Sequence, residues 1–440
     1  MKKIFLSIIS LGLLVAAKAQ ETVYPAPKQA GSTVITNATV HVGNGQVLNN
    51  ASVVITYGKI AAVVTNVAIP PGSTQVNAQG KHVYPGIILP VSNLGLVEIG
   101  SVRASNDVRE IGDMNPDIRS LVAYNTDSKV INTLRSNGIL LANVVPQGSF
   151  VAGQSSVVQL DAWNYEDAAY KTDGGLHVYM TALLPRPRFG GFGGGGRGGN
   201  ADPASDPVKE GLDKIDGLKS FFREAKAYNS ESSHAVTNLK FESVKNLFDK
   251  KQKLYVHANT VKQMLVALDF VKEFGFDLVI VGGSDSWQIA DLLKQNNVSV
   301  VLNQPHSLPT LEDDDVDQPY KTAAALQKAG VLFSISDVDG QTRGRNIVFN
   351  AGTAATYGLT KEEALQSVTL NAAKILGVAD KTGSIEVGKD ANIVISGGDI
   401  LDMRTSNVTD AFIQGRKIDL TDKQKQLNER YNRKYGLKAF

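Results

Sequence analysis

Short apolar runs alternate with turn-forming residues between positions 33 and 83. The runs are rich in β-branched side chains, and the residues between them are mostly Gly and Asn, which is typical of short strands joined by tight turns. The runs lie at 34–35, 40–42, 53–55 and 60–64, and the turns at 43–45, 49–50 and 57–59. This part of the chain is therefore predicted to form a small antiparallel sheet unit.

The pattern changes between residues 86 and 377, where longer apolar runs alternate with stretches of helical periodicity. The strand-like runs lie at 138–145, 254–257, 278–281, 298–302 and 331–336, and the helix-like stretches at 260–274, 286–295, 320–329 and 361–376. Thr360 and Glu363 have the spacing of a capping box at the start of the last helix. Alternation of strand and helix over this length predicts a parallel α/β domain, and specifically a barrel.

The strand pattern of the first segment returns after residue 383. We therefore predict one composite β-sandwich domain from residues 20–83 and 383–420, a barrel from residues 84–382, and a polar C-terminal helix within 421–440. A glycine-rich insertion at 188–200 contains a formal G-x-G-x-x-G, but no strand precedes it, so a surface loop is predicted rather than a dinucleotide site.

The first residues have the pattern of a signal peptide. Lys2 and Lys3 precede an apolar stretch at 4–17, and Ala17-Lys18-Ala19 fits the small-x-small cleavage rule. The apolar stretch is too short to span a bilayer. We expect removal of residues 1–19, export to the periplasm or the cell exterior, and no transmembrane span in the mature chain.

Composition narrows the chemistry that the chain can perform. Its 440 residues carry 45 Lys+Arg against 43 Asp+Glu, and a net charge of +2 argues against a dedicated nucleic-acid binder. The absence of cysteine from the sequence excludes disulfides, thiolate nucleophiles and Cys-based metal sites. Six histidines leave few candidates for a histidine-rich catalytic centre.

Three segments resemble the amidohydrolase superfamily, and its imidazolonepropionase-like branch in particular. GKHVYPGII at 80–88 resembles the entry into the first barrel strand, TLNAAKILG at 369–377 the last barrel helix, and GSIEVGKDANIV at 383–394 the exit into the C-terminal sheet. The resemblance implies a distorted (β/α)8 barrel, similar to a TIM barrel, with a composite β-sandwich. It also implies a metal centre that activates water for hydrolysis of carbon–nitrogen (non-peptide) bonds.

The usual ligands of that centre are a His-x-His on strand 1, sometimes a Lys on strand 4, a His on each of strands 5 and 6, and an Asp on strand 8. In this chain Val91 and Asn93 occupy the His-x-His positions, and no His lies in the predicted strand 6 at 278–283. No Lys lies in the apolar run at 176–184. His257 matches the strand 5 ligand, and Asp337 matches the strand 8 Asp, which is the catalytic residue of active relatives.

Each candidate has a second interpretation. His257 is either a residual ligand or a hydrogen-bonded structural histidine, and Asp337 is either a functional carboxylate or a hydrogen-bond acceptor. His306, after the predicted strand 7, is either a third ligand or a loop histidine, and Asp339 could face the same mouth. His177 lies in no recognisable partner motif.

Three hypotheses follow for the function. In the first, the chain is a divergent member that has lost metal-dependent hydrolysis, carries no metal at full occupancy, and binds a small-molecule ligand or an amidohydrolase-fold paralogue. In the second, it is an active hydrolase with a rebuilt mononuclear site for zinc or another divalent metal, formed by His257, Asp337 and His306. In the third, it is a structural or surface protein. An oligomer is compatible with each of them.

Overall fold

The computed structural model describes residues 23–65, 68–181, 183, 206–337 and 343–437. The predicted signal peptide at 1–19, the glycine-rich insertion at 188–200 and Asp339 lie outside the described residues. No helix in the described ranges is both long enough and apolar enough to cross a membrane.

The described residues form two eight-stranded sheets. In chain order the strands are β1 (Ser32–His41), β2 (Val47–Thr56), β3 (Lys59–Val64), β4 (Thr74–Asn77), β5 (His82–Pro85), β6 (Ile87–Ser92), β7 (Ile139–Val144), β8 (Val151–Gln159), β9 (Ala169–Tyr179), β10 (Lys253–Ala258), β11 (Leu278–Gly282), β12 (Ser299–Leu302), β13 (Phe333–Ile335), β14 (Ile393–Ser396), β15 (Val408–Ile413) and β16 (Arg416–Lys417).

The first sheet combines strands from the two ends of the chain in the order β16-β15-β14-β5-β1-β2-β3, with β4 also paired to β1. β5 and β14 pair antiparallel, which joins the two chain ends in one hydrogen-bonded sheet. Side chains from both ends, including Ile35, Val53, Ile393 and Phe412, fill a common apolar core. Ile60 N on β3 also donates to the carbonyl of Lys389, a few residues before β14, at 2.9 Å. The domain boundaries given above stay a prediction.

The second sheet has the order β13-β12-β11-β10-β9-β8-β7-β6 and is a nearly closed barrel. β6 pairs parallel with β7, and β9 to β13 pair parallel with one another. β8 is antiparallel to both of its neighbours, which departs from a regular (β/α)8 arrangement. The predicted fold class, a distorted barrel accompanied by a β unit, is confirmed.

Helices surround the barrel strands and cover the larger apolar core. The α-helices are Lys129–Ser136, Tyr165–Ala168, Pro207–Ser230, Leu239–Ser243, Lys245–Phe248, Val261–Phe274, Ala290–Gln295, Gln318–Ala329, Ile347–Thr356, Lys361–Ser367, Leu370–Leu376 and Lys423–Tyr435. Short 3-10 turns lie at Arg103–Ser105, Ser120–Ala123, Ser286–Ile289 and Gly344–Asn346. The helix predicted over 361–376 begins with the Thr360–Glu363 capping box but is split at Thr369, whose ψ of −94° is not helical.

Two lysines close the end of the barrel at which the parallel strands begin. Lys253 Nζ donates to the Ile375 carbonyl at 2.8 Å, and Lys171 Nζ donates to the Leu376 carbonyl at 3.1 Å. These carbonyls belong to the last turn of Leu370–Leu376, where the helix dipole and the unpaired carbonyls favour a cation. Burial lowers the pKa of both lysines. This contact fixes the helix across the barrel floor.

Candidate functional site at the barrel mouth

The candidate site lies where the parallel barrel strands end, since active sites of such barrels are built at this face. Asn93 follows β6, His257 lies near the end of β10, His306 follows β12 and Asp337 follows β13. The topology therefore brings the sequence-predicted residues to one end of the barrel. Their individual contacts decide what they can do there.

The two positions of the His-x-His pattern are occupied by side chains of different character. Val91 packs into the barrel core with 8% of its surface exposed, and its carbonyl accepts a hydrogen bond from Ser336 Oγ at 3.3 Å. Asn93 Oδ1 is buried and has no hydrogen-bond partner among the described residues. A buried acceptor without a donor costs about 1–3 kcal/mol. The first barrel strand, β6, and the residue that follows it thus supply one weak oxygen ligand and no imidazole.

His257 is one end of a buried hydrogen-bonded chain of three side chains. Its Nε2 lies 3.0 Å from Nδ1 of His177, and Nε2 of His177 lies 2.8 Å from Oγ of Ser155. His177 and Ser155 are almost completely buried, and His257 as a whole residue is less completely buried. Each imidazole stacks on a tyrosine, His257 on Tyr179 and His177 on Tyr255, with ring centroids 3.8 and 4.7 Å apart. These three hydrogen-bonded side chains lead from the barrel mouth into the barrel wall.

Burial sets the protonation of the two imidazoles. It lowers the pKa of His257 to about 3. Burial, and then the charge of His257, lowers the pKa of His177 well below its usual value. Both rings are therefore neutral near neutral pH, and one N–H is shared between Nδ1 of His177 and Nε2 of His257. A neutral imidazole is the form that binds metals, but the facing ring already occupies this nitrogen.

A glycine makes room for this arrangement. Gly175 on β9 lies against the Tyr255 ring, and a Cβ at this position would lie 2.4 Å from Cε2 of Tyr255 and 3.0 Å from Ser155 Oγ. Such distances are far below van der Waals contact, so any larger residue would displace the ring on which His177 stacks. Gly175 of β9 is therefore required for this arrangement of His177, Tyr255 and Ser155.

Asp337 is a buried carboxylate with a cationic neighbour. Its side chain is 4% exposed, and Oδ1 lies 3.3 Å from Nη2 of Arg343. Asn350 Nδ2 donates to Oδ2 at 3.4 Å. A buried carboxylate requires a compensating charge or several hydrogen bonds, and Arg343 supplies the charge here. Asp337 is therefore an acceptor in an ion pair and a hydrogen bond.

His306 is an exposed residue of the loop after β12. Its Nε2 is 3.1 Å from Thr353 Oγ1, and its ring meets the edge of Tyr320. Among the residues that the structure describes, no group of three His, Asp or Glu side chains is placed to hold a metal ion. The set of His257, Asp337 and His306 considered for a rebuilt centre is therefore not assembled in the described residues.

The residues missed by the sequence analysis are the partners of the predicted ones: His177, Ser155, Arg343 and Asn350. His177 is 80 positions from His257 along the chain, and Ser155 is 22 positions from His177. No local motif links them. Their pairing follows only from the adjacency of β8, β9 and β10.

Comparison with known proteins adds the family to this geometry. A model of the amidohydrolase family matches residues 214–418. The chain is 40% identical over 82 residues to the imidazolonepropionase of Thermoplasma volcanium, and 36% identical over 81 residues to that of Flavobacterium johnsoniae. Each alignment covers 18% of this chain and 20% of the relative, so the chain matches only about a fifth of the length of these relatives.

A solved structure extends the likeness over nearly the whole chain. The crystal structure of an amidohydrolase from Thermotoga maritima superposes with a TM-score of 0.74 at 25% identity, covering 88% of this chain and 99% of that one. The chain belongs to the amidohydrolase superfamily. A putative prolidase from Bifidobacterium longum, at 15% identity and a TM-score of 0.52, shares the fold alone.

The amidohydrolase superfamily usually binds a divalent metal such as zinc, but the described residues do not fit such a centre. Val91 has no ligating atom, and the amide oxygen of Asn93 is a poor ligand for zinc. Nε2 of His257 faces His177, and Asp337 is paired with Arg343. A catalytic zinc site needs three protein ligands. The donor set at this mouth falls short of that requirement.

Proposed function

We propose that this chain is an exported amidohydrolase-superfamily protein that does not hydrolyse carbon–nitrogen bonds with a metal-bound water, and that its barrel mouth binds a small polar molecule. One observation carries the proposal: Asp337, the position of the catalytic Asp in active relatives, is paired with Arg343. In an active relative this carboxylate binds the metal and moves a proton from water to the leaving group.

Arg343 occupies the electrostatic role that a metal would have beside Asp337. A guanidinium does not activate water as a Lewis acid, because it is always protonated and offers only N–H donors. It binds carboxylates and other anions through paired hydrogen bonds. The exposed half of the Arg343 side chain therefore supports recognition of an anionic or strongly polar group at the mouth.

Asn93, which follows β6, supports the same proposal. Its Oδ1 is a buried acceptor without a partner in the described ranges. A ligand that offers an N–H or O–H group would recover part of the cost of this unpaired oxygen. We therefore expect the ligand to combine a hydrogen-bond donor with an anionic group. An amidohydrolase-fold paralogue that inserts such a group into the mouth is the alternative occupant.

A second candidate function is hydrolysis by a rebuilt site, and the neutral imidazole of His257 near the end of β10 favours it. The relatives named imidazolonepropionase make their substrate class the first to test. Hydrolysis of imidazolonepropionate, N-acyl amino acids and Xaa-Pro dipeptides is measured in zinc- and manganese-supplemented buffer. The variants are His257→Ala, Asp337→Asn and, as a surface control, Asp173→Asn.

We expect no rate above that of Asp337→Asn for any substrate. Turnover that is lost in both His257→Ala and Asp337→Asn, but kept in Asp173→Asn, would contradict the proposal and establish the hydrolase instead. Binding at the mouth is measured separately by calorimetry with imidazolonepropionate. We expect Arg343→Ala to weaken any binding, because it removes the cation that faces the ligand.

The missing ligands can also be introduced. Replacing Val91 and Asn93 by His restores the two imidazoles of strand 1 at the mouth. We expect this double variant to take up more zinc than the wild type, without gaining turnover, because strand 6 still lacks a His and the surrounding hydrogen bonds are absent. Equal zinc content in the two proteins would mean that these positions do not correspond to the His-x-His of the superfamily.

A further inference from the structure

We propose that a cleft at the opposite end of the barrel from the mouth is a saccharide-binding site. The cleft has a volume of about 620 Å³, within the range of ligand pockets. It lies between the N-terminal segment, two hairpin turns of the first sheet and the end of β8. Its lining includes Lys28, Tyr57, Trp163, Asp167, Gln414 and Arg416.

The position of the cleft separates it from the candidate site. β8 is antiparallel to β7, so its last residue, Gln159, pairs with Leu141 near the start of β7. Leu160 N donates to the Leu140 carbonyl at 3.0 Å just beyond this pair. The cleft therefore lies where the parallel strands begin, whereas the mouth lies where they end. The saccharide proposal is independent of the function proposed for the mouth.

Two strained turns converge on the cleft. Tyr57-Gly58 joins β2 to β3 and Gln414-Gly415 joins β15 to β16, and all four residues have positive φ. Two-residue turns of this kind favour Asn, Asp or Gly at the first position, because other side chains are strained there. A Cβ on Gly415 would lie 2.8 Å from Gly58 Cα, so the two turns pack directly against each other.

Tyr57 has no folding role that explains its place in such a turn. Its side chain is 87% exposed, so the backbone strain is not offset by burial. Residues held in unfavourable backbone conformations are concentrated at functional sites. Gly58 N donates to Gln29 Oε1 at 2.8 Å, which holds the turn in this conformation. The turn thus presents a tyrosine ring at the edge of the cleft.

Trp163 presents a second aromatic face to the cleft. Its side chain is 64% exposed, and Tyr24 lies beside it with ring centroids 5.9 Å apart. Three aromatic side chains with large exposed areas therefore lie in or next to one cavity: Tyr24, Tyr57 and Trp163. Aromatic faces carry negative partial charge and attract the weakly positive C–H groups of a flat ligand face. The C–H face of a sugar ring has this character.

The polar side chains of the cleft are mixed in charge and available for hydrogen bonds. The Lys28 amine, the Asp167 carboxylate and the Gln414 amide make no hydrogen bond or ion pair with another described residue. The other charges are compensated, since Lys59 Nζ lies 2.6 Å from Asp390 Oδ1 and Arg416 pairs with Asp161. With one free cation and one free anion in the described lining, the cleft does not favour a phosphate.

The floor of the cleft is rigid. Asp161, with 1% of its side chain exposed, accepts hydrogen bonds from Ala26 N, Arg135 Nη1 and Arg416 Nη1 at 2.9, 2.5 and 2.9 Å. It thereby ties the N-terminal segment, a barrel helix and β16 together. The cleft thus combines a preformed floor with aromatic faces and with hydrogen-bond donors and acceptors. Such a site is suited to a neutral, hydroxyl-rich ring system, because little ordering is needed on binding.

The test measures binding of maltotriose, cellotriose, chitotriose and mannotriose, with adenosine as a non-saccharide ring compound. The chain has two tryptophans, so a Trp287→Phe variant reports Trp163 alone by its fluorescence. Titration calorimetry gives the affinity independently. We expect at least one trisaccharide to bind at millimolar concentration or below and to shift the Trp163 emission to shorter wavelength.

The variants are Trp163→Ala and Tyr57→Asn, with Tyr435→Ala as the control for an exposed tyrosine outside the cleft. We expect both cleft variants to weaken binding about ten-fold or more and the control to bind like the wild type. Tyr57→Asn should also raise the midpoint of thermal unfolding, because Asn is less strained at this turn position. A purely structural Tyr57 would not lose affinity while the fold becomes more stable.

Two results would overturn the proposal. The first is that none of the trisaccharides binds, whether or not adenosine does. The second is trisaccharide binding that is unchanged in both Trp163→Ala and Tyr57→Asn.

Discussion

Replacement of Asp161 by Asn tests the connection between the N-terminal segment, the barrel and the composite sheet. Asn keeps the shape of the side chain and removes its charge. The side chains of Asp161 and Arg135 are 1% and 4% exposed, and that of Arg416 is 13% exposed. Burial lowers the pKa of Arg135, and the charge of Asp161 opposes that effect. The variant therefore leaves two buried guanidinium groups without their carboxylate.

The size of the effect follows from this burial. Removing one partner of a buried ion pair costs about 3–5 kcal/mol. A matched surface pair is Arg119 with Asp173, whose side chains are 45% and 22% exposed and whose Nη2 and Oδ2 lie 2.7 Å apart. Exposed pairs contribute only about 0–1 kcal/mol. The two Asp→Asn variants should therefore differ by roughly 3 kcal/mol, which is more than a hundred-fold in the unfolding equilibrium.

Urea unfolding followed by far-UV circular dichroism measures the difference, with Asp173→Asn as the control. Arg135→Met in the Asp161→Asn background should recover part of the loss, because it removes one of the two uncompensated charges. If Asp161→Asn and Asp173→Asn destabilise the protein equally, within about 1 kcal/mol, the pair does not hold the floor of the cleft and the reasoning fails.

Three further predictions concern the histidine chain and its surroundings. Gly175→Ala should destabilise the fold by about 1–3 kcal/mol through overpacking, whereas Gly217→Ala, in an open helical position, should stabilise it by about 0.5–1 kcal/mol; urea unfolding of both variants decides this, and a neutral Gly175→Ala would contradict it. Ser155→Ala should lower the free energy of unfolding by about 1–3 kcal/mol, because it leaves a nitrogen of His177 unpaired. A smaller loss would mean that the hydrogen bond between Ser155 and His177 does not contribute to stability. The folded pKa of His257 is about 3 and the unfolded value is about 6.5, so the unfolded state binds more protons between these two pH values. The unfolding free energy should therefore fall as pH drops below about 6.5, with a slope that approaches about 1.4 kcal/mol per pH unit. A His257→Gln variant should show a shallower slope, and an identical slope would contradict the assignment.

The strands formed by continuous apolar runs are those that the sequence analysis could predict. β10 and β11 are buried almost throughout, so their only polar residues are Lys253, at the start of β10, and His257. β8 escaped prediction because its nine buried residues include Gln154, Ser155 and Ser156, which are typical of loops. Ser155 and Ser156 form hydrogen bonds with residues of β9, and the Gln154 amide donates to the Pro116 and Ser243 carbonyls. Single-sequence patterns do not contain these distant partners.

Only those residues of the candidate site that belong to the superfamily motif could be predicted from the sequence. Position at the end of strand 5 identified His257, and position after strand 8 identified Asp337. The same alignment identified the substitutions at the His-x-His positions. The contacts that decide their chemistry come from His177 and Arg343. Neither belongs to the motif, and only the packing of neighbouring strands and loops brings them to the two predicted residues.

Metal content tests the central claim most directly. The purified protein is dialysed against buffer supplemented with zinc, manganese and iron, then against metal-free buffer, and analysed for each element. We predict well under one equivalent of any of them, because the donor set at the mouth lacks the imidazoles of strands 1 and 6, and Arg343 already pairs with Asp337. A stoichiometric metal that is lost on His257→Ala would contradict this account.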